Sequence, residues 1–138
     1  MPPPEPQPPV RPILRSGLAG RADSFRFAWR GVTVMIKSQK NAWIHAAMSL
    51  AVAIMGFALG VGFHDWCWLV LAIVAVWTAE ALNTAFEFLA DVASPEFHPL
   101  VEKSKDVAAG AVLIATLGAV IIGLLVLGPP LVARLPLP

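Results

Sequence analysis

The chain has 138 residues, a formal net charge of +1 and a mean hydropathy of +0.71. Hydrophobic residues make up 57% of the sequence and charged residues 14%, whereas an ordinary soluble domain is roughly 25% charged. A soluble core of this size could not bury so much apolar side chain, so we expect part of it to face lipid. The near-zero charge argues against a nucleic-acid partner, and the single cysteine excludes a disulfide framework or a Cys-rich metal site.

Prolines dominate the start of the sequence. Seven of the thirteen lie in residues 1–12, and such a composition cannot pack a core and favours an extended chain. We therefore expect a disordered tail over residues 1–22 and a membrane domain over residues 23–130. A short C-terminal tail is expected over residues 131–138.

Residues 24–38 are predicted to form an amphipathic helix, with Asp23 or Ser24 as its cap. Its apolar side chains fall within about 60° of one another on a helical wheel: Phe25, Trp29, Val32 and Ile36. Its basic side chains lie roughly 100–140° away: Arg26, Arg30 and Lys37. A basic helix with aromatic anchors is typical of a helix on an anionic membrane surface. Both a plain membrane anchor and a lid over a site fit this pattern.

Three apolar runs follow. Residues 46–63 and 107–127 are uncharged, and residues 66–79 are uncharged with a helical pattern that continues through acidic residues to about residue 90. Because a bilayer core needs ~20 helical residues, each run predicts a transmembrane helix. A short turn over residues 63–65 is expected to join the first two, and Pro129-Pro130 is expected to stop the third. The predicted fold is an all-α membrane protein with three transmembrane helices and an N-terminal amphipathic surface helix.

Basic residues predict the orientation of these spans. Most of the ten lie before the first span or between the second and third, regions that share one side of a three-span protein: Arg11, Arg15, Arg21, Arg26, Arg30, Lys37, Lys40, Lys103 and Lys105. Only Arg134 lies on the other side. The positive-inside rule therefore predicts a cytoplasmic N-terminus.

Polar side chains form one stripe on the second span. With Glu80 at 0° on a helical wheel, Asn83 lies at about −60°, Thr84 at about +40°, Glu87 at about −20° and Asp91 at about +20°. An ionised carboxylate facing lipid at mid-bilayer costs at least ~2.5 kcal/mol, so the three acids need cations, protons, a metal or donors. A polar helix–helix seam, as in a proton channel, and a catalytic or ion site both remain open.

The stripe is also graded in depth. At 1.5 Å per residue, Glu87 lies ~6 Å and Glu80 ~16 Å along the helix from Asp91, where the span is expected to enter the cytoplasm. A site on the stripe could meet a water-soluble substrate at one end and a lipid headgroup at the other.

The loop after the second span is rich in possible ligands. Glu96 and His98 could contact a nucleotide base, a ribose or a metal, and Lys105 and Asp106 could contact phosphate and metal. A solvated loop with Ser104 as a helix cap is the alternative interpretation. The sequence has no P-loop and no G-x-G-x-x-G motif.

These motifs resemble the prokaryotic diacylglycerol kinase family, small integral-membrane lipid kinases that include the undecaprenol kinases. The likeness extends from about Ser24 to Gly128. The matching motifs are Glu80-Ala-Leu-Asn83-Thr-Ala-Phe-Glu87-x3-Asp91, Glu96-Phe97-His98 and Lys105-Asp106-Val-Ala-Ala-Gly-Ala-Val.

The resemblance implies transfer of the ATP γ-phosphoryl group to a lipid hydroxyl with Mg²⁺. It also implies a homotrimer with sites shared between subunits, in the bacterial cytoplasmic (inner) membrane. By motif, Glu80 would be the general base, Glu87 and Gln39 metal ligands, and Asn83 and Asp91 supporting residues. The residues that would contact the nucleotide are Phe27, Gln39, Glu87, Glu96, Phe97, His98, Lys105 and Asp106.

The sequence departs from the family pattern before the first span. The family's Glu-x-Asn-x-x-x-His appears here with Gln39 in place of the glutamate, followed by Asn41 and His45, and Phe27 stands where an aromatic faces the nucleotide. Asn41…His45 is similar to the undecaprenol-kinase branch. We expect diacylglycerol as acceptor, giving phosphatidic acid, with undecaprenol as the alternative. The non-enzymatic alternative is a small proton or cation channel or a transporter subunit.

Overall fold

A computed structural model of the chain describes residues 18–135, which form four α-helices and no strand. The helices are α1 (Leu18–Ser38), α2 (Lys40–Leu59), α3 (Phe63–Ala93) and α4 (Pro99–Val132). The last three are long and apolar enough to cross a membrane. The prediction of an all-α membrane protein with three spans and an additional N-terminal helix is confirmed.

Helix α1 begins earlier than predicted. It starts at Leu18, so residues 18–22, assigned to a disordered tail, are helical instead. The physical reason is composition: the last proline before α1 is Pro12, and leucine, alanine and arginine favour helix. Ser24 lies inside the helix and donates its hydroxyl to the Gly20 carbonyl at 2.9 Å rather than capping the start. The rest of the predicted tail, residues 1–17, lies outside the described residues.

The chain divides into two compact units, and the boundary lies within α1, after Thr33. In the first unit, Phe25 and Trp29 are exposed, as the amphipathic pattern requires of an unpaired apolar stripe. The second unit contains the end of α1 and the three apolar helices. The functional site described below lies in this second unit.

The turn between α2 and α3 lies three residues before its predicted position. Gly60 ends α2 in the left-handed region, with φ 68°, and its N–H donates to the carbonyls of Gly56 and Phe57. The N–H of Gly62 donates to Asp65 Oδ2 at 3.1 Å, which caps the start of α3. Residues 63–65 are therefore the first turn of α3, because glycine supplies the left-handed residue that ends a helix.

Helix α4 continues through the prolines that were expected to stop it. It ends at Val132, and the Ala133 N–H donates to the Pro129 carbonyl at 3.1 Å. Proline removes backbone donors, but its φ is compatible with helix, so one further turn forms after Pro129-Pro130. The first two residues of the predicted C-terminal tail are helical, and residues 136–138 lie outside the described residues.

Helix α3 forms the centre of the second unit. Most interhelical packing is between α3 and α4, and α2 contacts both. Its buried apolar residues are Leu69, Ala72 and Val76. Large apolar side chains elsewhere on α2, α3 and α4 are exposed, as expected for surfaces that meet lipid or another subunit.

The ends of α2 and α4 are tied together. The Arg134 guanidinium donates to the carbonyls of Ala58 at 2.6 Å and Leu59 at 3.0 Å. These carbonyls belong to the last turn of α2, where a helix leaves acceptors without partners.

Candidate functional site

The polar stripe on α3 faces the interior of the second unit. Glu80, Asn83 and Thr84 are buried, Glu87 is half-buried and Asp91 is exposed. Burial therefore decreases along the stripe toward the end of α3. This arrangement keeps the carboxylates away from the lipid-facing surface, where their charge would be most costly.

Two side-chain amides hold the Glu87 carboxylate. Asn83, one turn earlier, donates from Nδ2 to Glu87 Oε1 at 3.0 Å. Gln39 donates from Nε2 to Glu87 Oε2. Gln39 is the extended residue between α1 and α2, with φ −107° and ψ 121°, and its side chain does not cap α2. The structure thus brings Gln39 and Glu87 together, as the family pattern predicted.

The donor set around Glu87 fits a hard divalent cation that also binds phosphate and water. Glu87 offers a carboxylate, and rotating the Gln39 and Asn83 amides would offer their oxygens. Asn83 Oδ1 is buried, and no group in residues 18–135 forms a hydrogen bond with it. Among the described residues, no cluster of three or more His, Cys, Asp or Glu side chains could hold a metal alone. An ion here would take most of its ligands from elsewhere.

Glu80 lies deeper, with its carboxylate enclosed between α2 and α3. Its side chain is 1% exposed, and neither oxygen has a hydrogen-bond partner within the described part of the chain. Thr84 donates its hydroxyl to the Glu80 backbone carbonyl, not to the carboxylate. The lone pairs of the carboxylate are free, but a substrate hydroxyl reaches them only if the side chains around Glu80 move.

His45 approaches Glu80 from α2, with its Nε2 atom 3.8 Å from Glu80 Oε2. His45 had no predicted role in the site and appeared only in the Asn41…His45 pattern. That pattern, in which Asn41 precedes His45 by one helical turn, was the available signal. Periodicity within one helix does not reveal which residue of the next helix it meets.

The predicted nucleotide loop forms a cavity of about 410 Å³ between the end of α3 and the start of α4. We call it the loop cavity. Its lining includes every predicted ligand of the loop, together with neighbouring residues. The lining residues are Asp91, Ser94, Pro95, Glu96, Phe97, His98, Val101, Glu102, Lys105 and Asp106.

Local contacts shape the loop cavity. Lys105 Nζ forms an ion pair with Asp91 Oδ1 at 2.7 Å. His98 caps α4, because its Nδ1 accepts the Leu100 N–H at 3.2 Å, and Pro99 occupies the first helical position. Ser104 therefore lies within α4 and is not its cap. The Nε2 atom of His98 is left for another partner.

Phe27, the remaining predicted nucleotide residue, lies in the first compact unit. Its ring is partly exposed, and the Arg26 guanidinium carbon lies 5.8 Å from the ring centre. Its contact with a nucleotide stays a prediction.

A family model of the prokaryotic diacylglycerol kinases matches residues 26–127, which include α2, α3, the loop cavity and most of α4. The chain belongs to the prokaryotic diacylglycerol kinase family. Membership confirms the resemblance and the prediction of a membrane lipid kinase. It removes support from the channel or transporter alternative.

Individual relatives carry two different names. The undecaprenol kinase of Bacillus subtilis is 38% identical over 108 residues, which cover 78% of this chain and 88% of the relative. The diacylglycerol kinase of Synechocystis is 39% identical over 111 residues, covering 80% of this chain but only 63% of the relative. The diacylglycerol kinase of Escherichia coli K12 is 30% identical over 105 residues, covering 69% of this chain and 78% of the relative. The two relatives with the highest of these identities, 38% and 39%, are thus named for different lipid substrates.

Proposed function

We propose that this kinase transfers the γ-phosphoryl group of ATP to the hydroxyl of diacylglycerol, giving phosphatidic acid. The observation that carries the proposal is the α3 stripe, which joins an enclosed carboxylate, Glu80, to an amide-held carboxylate, Glu87, beside the loop cavity. Phosphoryl transfer depends on positioning and on neutralising charge more than on covalent help from the protein. Such a stripe, buried at Glu80 and more open at Glu87, offers groups both for positioning the substrates and for neutralising charge.

The charge of the loop cavity supports a metal–nucleotide complex as its ligand. Four carboxylates line it, from Asp91, Glu96, Glu102 and Asp106, and the only lysine or arginine is Lys105. A bare polyphosphate would be repelled by this lining. When bound near Glu87, Mg²⁺ would neutralise charge on the phosphate oxygens. Glu87 and an amide oxygen of Gln39 would hold the ion, leaving its other positions to phosphate and water.

Lys105 is the residue that we assign to the phosphate chain. Its ammonium group forms an ion pair with Asp91, and both side chains reach solvent. Because an exposed ion pair contributes little to stability, a phosphate oxygen can replace Asp91 as the partner of Lys105. His98 Nε2 and Phe97, both on the exposed loop, are assigned to the nucleotide base or ribose.

Glu80 is assigned the general-base role. Its free lone pairs can accept the proton of the lipid hydroxyl as that oxygen attacks the γ-phosphorus. Because the carboxylate is enclosed, the lipid hydroxyl reaches it only after side chains at the α2–α3 contact shift. Conformational closure or opening of this kind is common in kinases and related enzymes.

We propose a homotrimer in the bacterial inner membrane, with the N-terminus in the cytoplasm. One set of thin helices cannot enclose both ATP and a lipid, and many large apolar side chains are exposed on α2, α3 and α4. Neighbouring subunits would cover part of this surface and complete each site. The basic residues before α2 and at the start of α4 support the orientation.

Undecaprenol is the second candidate acceptor. Two observations favour it: the 38% identity to an undecaprenol kinase along 88% of that relative, and the Asn41…His45 pattern. The test is a side-by-side kcat/KM comparison of the two lipids in mixed micelles with γ-labelled ATP. We expect at least a tenfold preference for diacylglycerol, equivalent to about 1.4 kcal/mol of transition-state discrimination. The opposite preference would assign the chain to the undecaprenol branch. Phosphorylation of glycerol, with neither lipid used, would contradict a lipid acceptor altogether.

A further inference from the structure

His45 and Glu80 form an isolated pair between α2 and α3. The Nε2 atom of His45 lies 3.8 Å from Glu80 Oε2, and no other His, Lys or Arg nitrogen in the described part of the chain lies within 4.0 Å of this carboxylate. The side chain of Glu80 is 1% exposed and that of His45 12% exposed. His45 is therefore the outer member of the pair.

A general base in this position needs a way to lose the proton it gains. Once Glu80 has taken the proton of the lipid hydroxyl, it is neutral and enclosed, and its oxygens have no hydrogen-bond partner among residues 18–135. A second turnover requires the carboxylate to be ionised again. With the side chains arranged as in the structure, the Glu80 side chain is 1% exposed, so a neighbouring base reaches its proton more directly than solvent water does.

We propose that His45 is this intermediate base and resets Glu80 after each turnover. The inference rests on the proposed base role of Glu80. In the first step, the lipid O–H bond breaks and an O–H bond forms at Glu80, while the lipid oxygen bonds to the γ-phosphorus and ADP leaves. In the second step, the O–H bond at Glu80 Oε2 breaks and an N–H bond forms at His45 Nε2. That N–H bond then breaks as the proton passes to water, which restores both side chains. The transfer uses the lone pair that an imidazole nitrogen carries when it holds no proton.

The geometry allows this transfer with little movement. A distance of 3.8 Å exceeds a hydrogen bond, whose N···O distance is about 2.7–3.2 Å, so a shift of about 1 Å brings the two atoms into reach. Catalytic hydrogen bonds are often long before substrate binds and shorten in the reacting complex. A rotation of the imidazole about its terminal torsion supplies a shift of this size.

The test compares two substitutions of His45 in full-length protein in mixed micelles. His45→Gln keeps an amide group that can bond to Glu80 but cannot accept and release a proton at neutral pH. His45→Ala removes both properties and leaves space for imidazole. His64→Ala, at an exposed position in the first turn of α3, is the matched control.

We expect both His45 variants to lose kcat by about tenfold or more, a smaller loss than the ~10²–10⁴-fold typical of removing the general base itself, with KM for ATP and lipid within about threefold. Added imidazole should restore kcat to His45→Ala and leave His64→Ala unchanged. A His45→Gln variant with near-parental kcat would overturn the relay and leave only a positioning role. Loss without imidazole rescue in folded His45→Ala would overturn it as well.

The outcome for Glu80 separates the relay from the proposed function. If Glu80→Gln is inactive while His45→Gln is fully active, Glu80 is still required and only the relay fails. If Glu80→Gln itself keeps its activity, the base assignment fails and the relay fails with it.

Discussion

The two halves of α3 bury opposite kinds of side chain on one continuous face. Leu69, Ala72 and Val76 are buried toward its start, and Glu80, Asn83 and Thr84 toward its end. All six follow one another at intervals of one to four residues, the spacing of a single helical face. The same packing surface therefore serves two purposes. Its apolar half holds the helices together, and its polar half carries polar side chains that packing alone does not require.

This contrast shows how a small membrane protein can keep carboxylates within its spans. Glu80 and Glu87 lie on the face of α3 that is covered by α2 and α4, so their carboxylates do not have to be transferred into lipid. Stability and chemistry thus depend on the same helix contacts but on different residues. Substitutions in the two halves should separate the two properties.

The largest expected effect is on the polar half. Glu80→Gln should abolish turnover, with a loss of ~10²–10⁴-fold in kcat, because the amide cannot accept the hydroxyl proton. Nucleotide binding and assembly should persist, since neither Glu80 oxygen makes a hydrogen bond that holds the fold. Steady-state kinetics and nucleotide binding on the same preparation test this, and a kcat within threefold of the parent would remove Glu80 from the mechanism.

The apolar half should respond in the opposite way. Leu69→Ala removes a side chain that is 1% exposed and leaves a cavity in the packing of α3. Buried Leu→Ala substitutions cost roughly 2–5 kcal/mol, and we expect a loss of about 2 kcal/mol, since lipid contributes less than water to helix association. The folded fraction should keep near-parental KM values.

Thermal unfolding in detergent is the measurement for Leu69→Ala. The matched control is Leu71→Ala on the same helix, where the leucine is 56% exposed and its removal leaves no internal cavity. Equal destabilisation by the two substitutions would show that the apolar face is not where the stability of α3 resides.

The smallest predicted effect is on the magnesium dependence of activity. Gln39→Glu should tighten the apparent Mg²⁺ affinity, because a second carboxylate would stand beside Glu87, and hard divalent ions prefer charged oxygen ligands. The same change places two like charges together without metal, so the metal-free protein should be less stable. Magnesium titration of activity, with Gln39→Ala as control, tests the affinity, and thermal unfolding without added metal tests the stability. An unchanged or weaker affinity would mean that Gln39 does not approach the ion.

The sequence predicted the three spans and the stripe on α3 because both depend on periodicity within one helix. The predicted α2–α3 turn at residues 63–65 was too late, because the end of the uncharged run marks the turn less well than Gly60 and Gly62 do. The predicted end of α4 at Pro129 was too early. The pairing of His45 with Glu80 was beyond periodicity, because it depends on how two helices are rotated against each other. Gln39 beside Glu87 was found only through the family pattern.

Arg134 forms hydrogen bonds between α4 and α2 that can exist only when the fold is complete. It follows α4 and binds the carbonyls of Ala58 and Leu59, which end α2, so the two contacts join residues 76 and 75 positions apart. Synthesis reaches Arg134 only after α2, α3 and α4 have been made, and the guanidinium finds its acceptors only if α2 and α4 end on the same side. The contact therefore forms only in a topology with an odd number of membrane crossings, in which α2 and α4 run parallel and α3 crosses back between them. The positive charge of Arg134 is thus neutralised in part by the negative end of the α2 helix dipole.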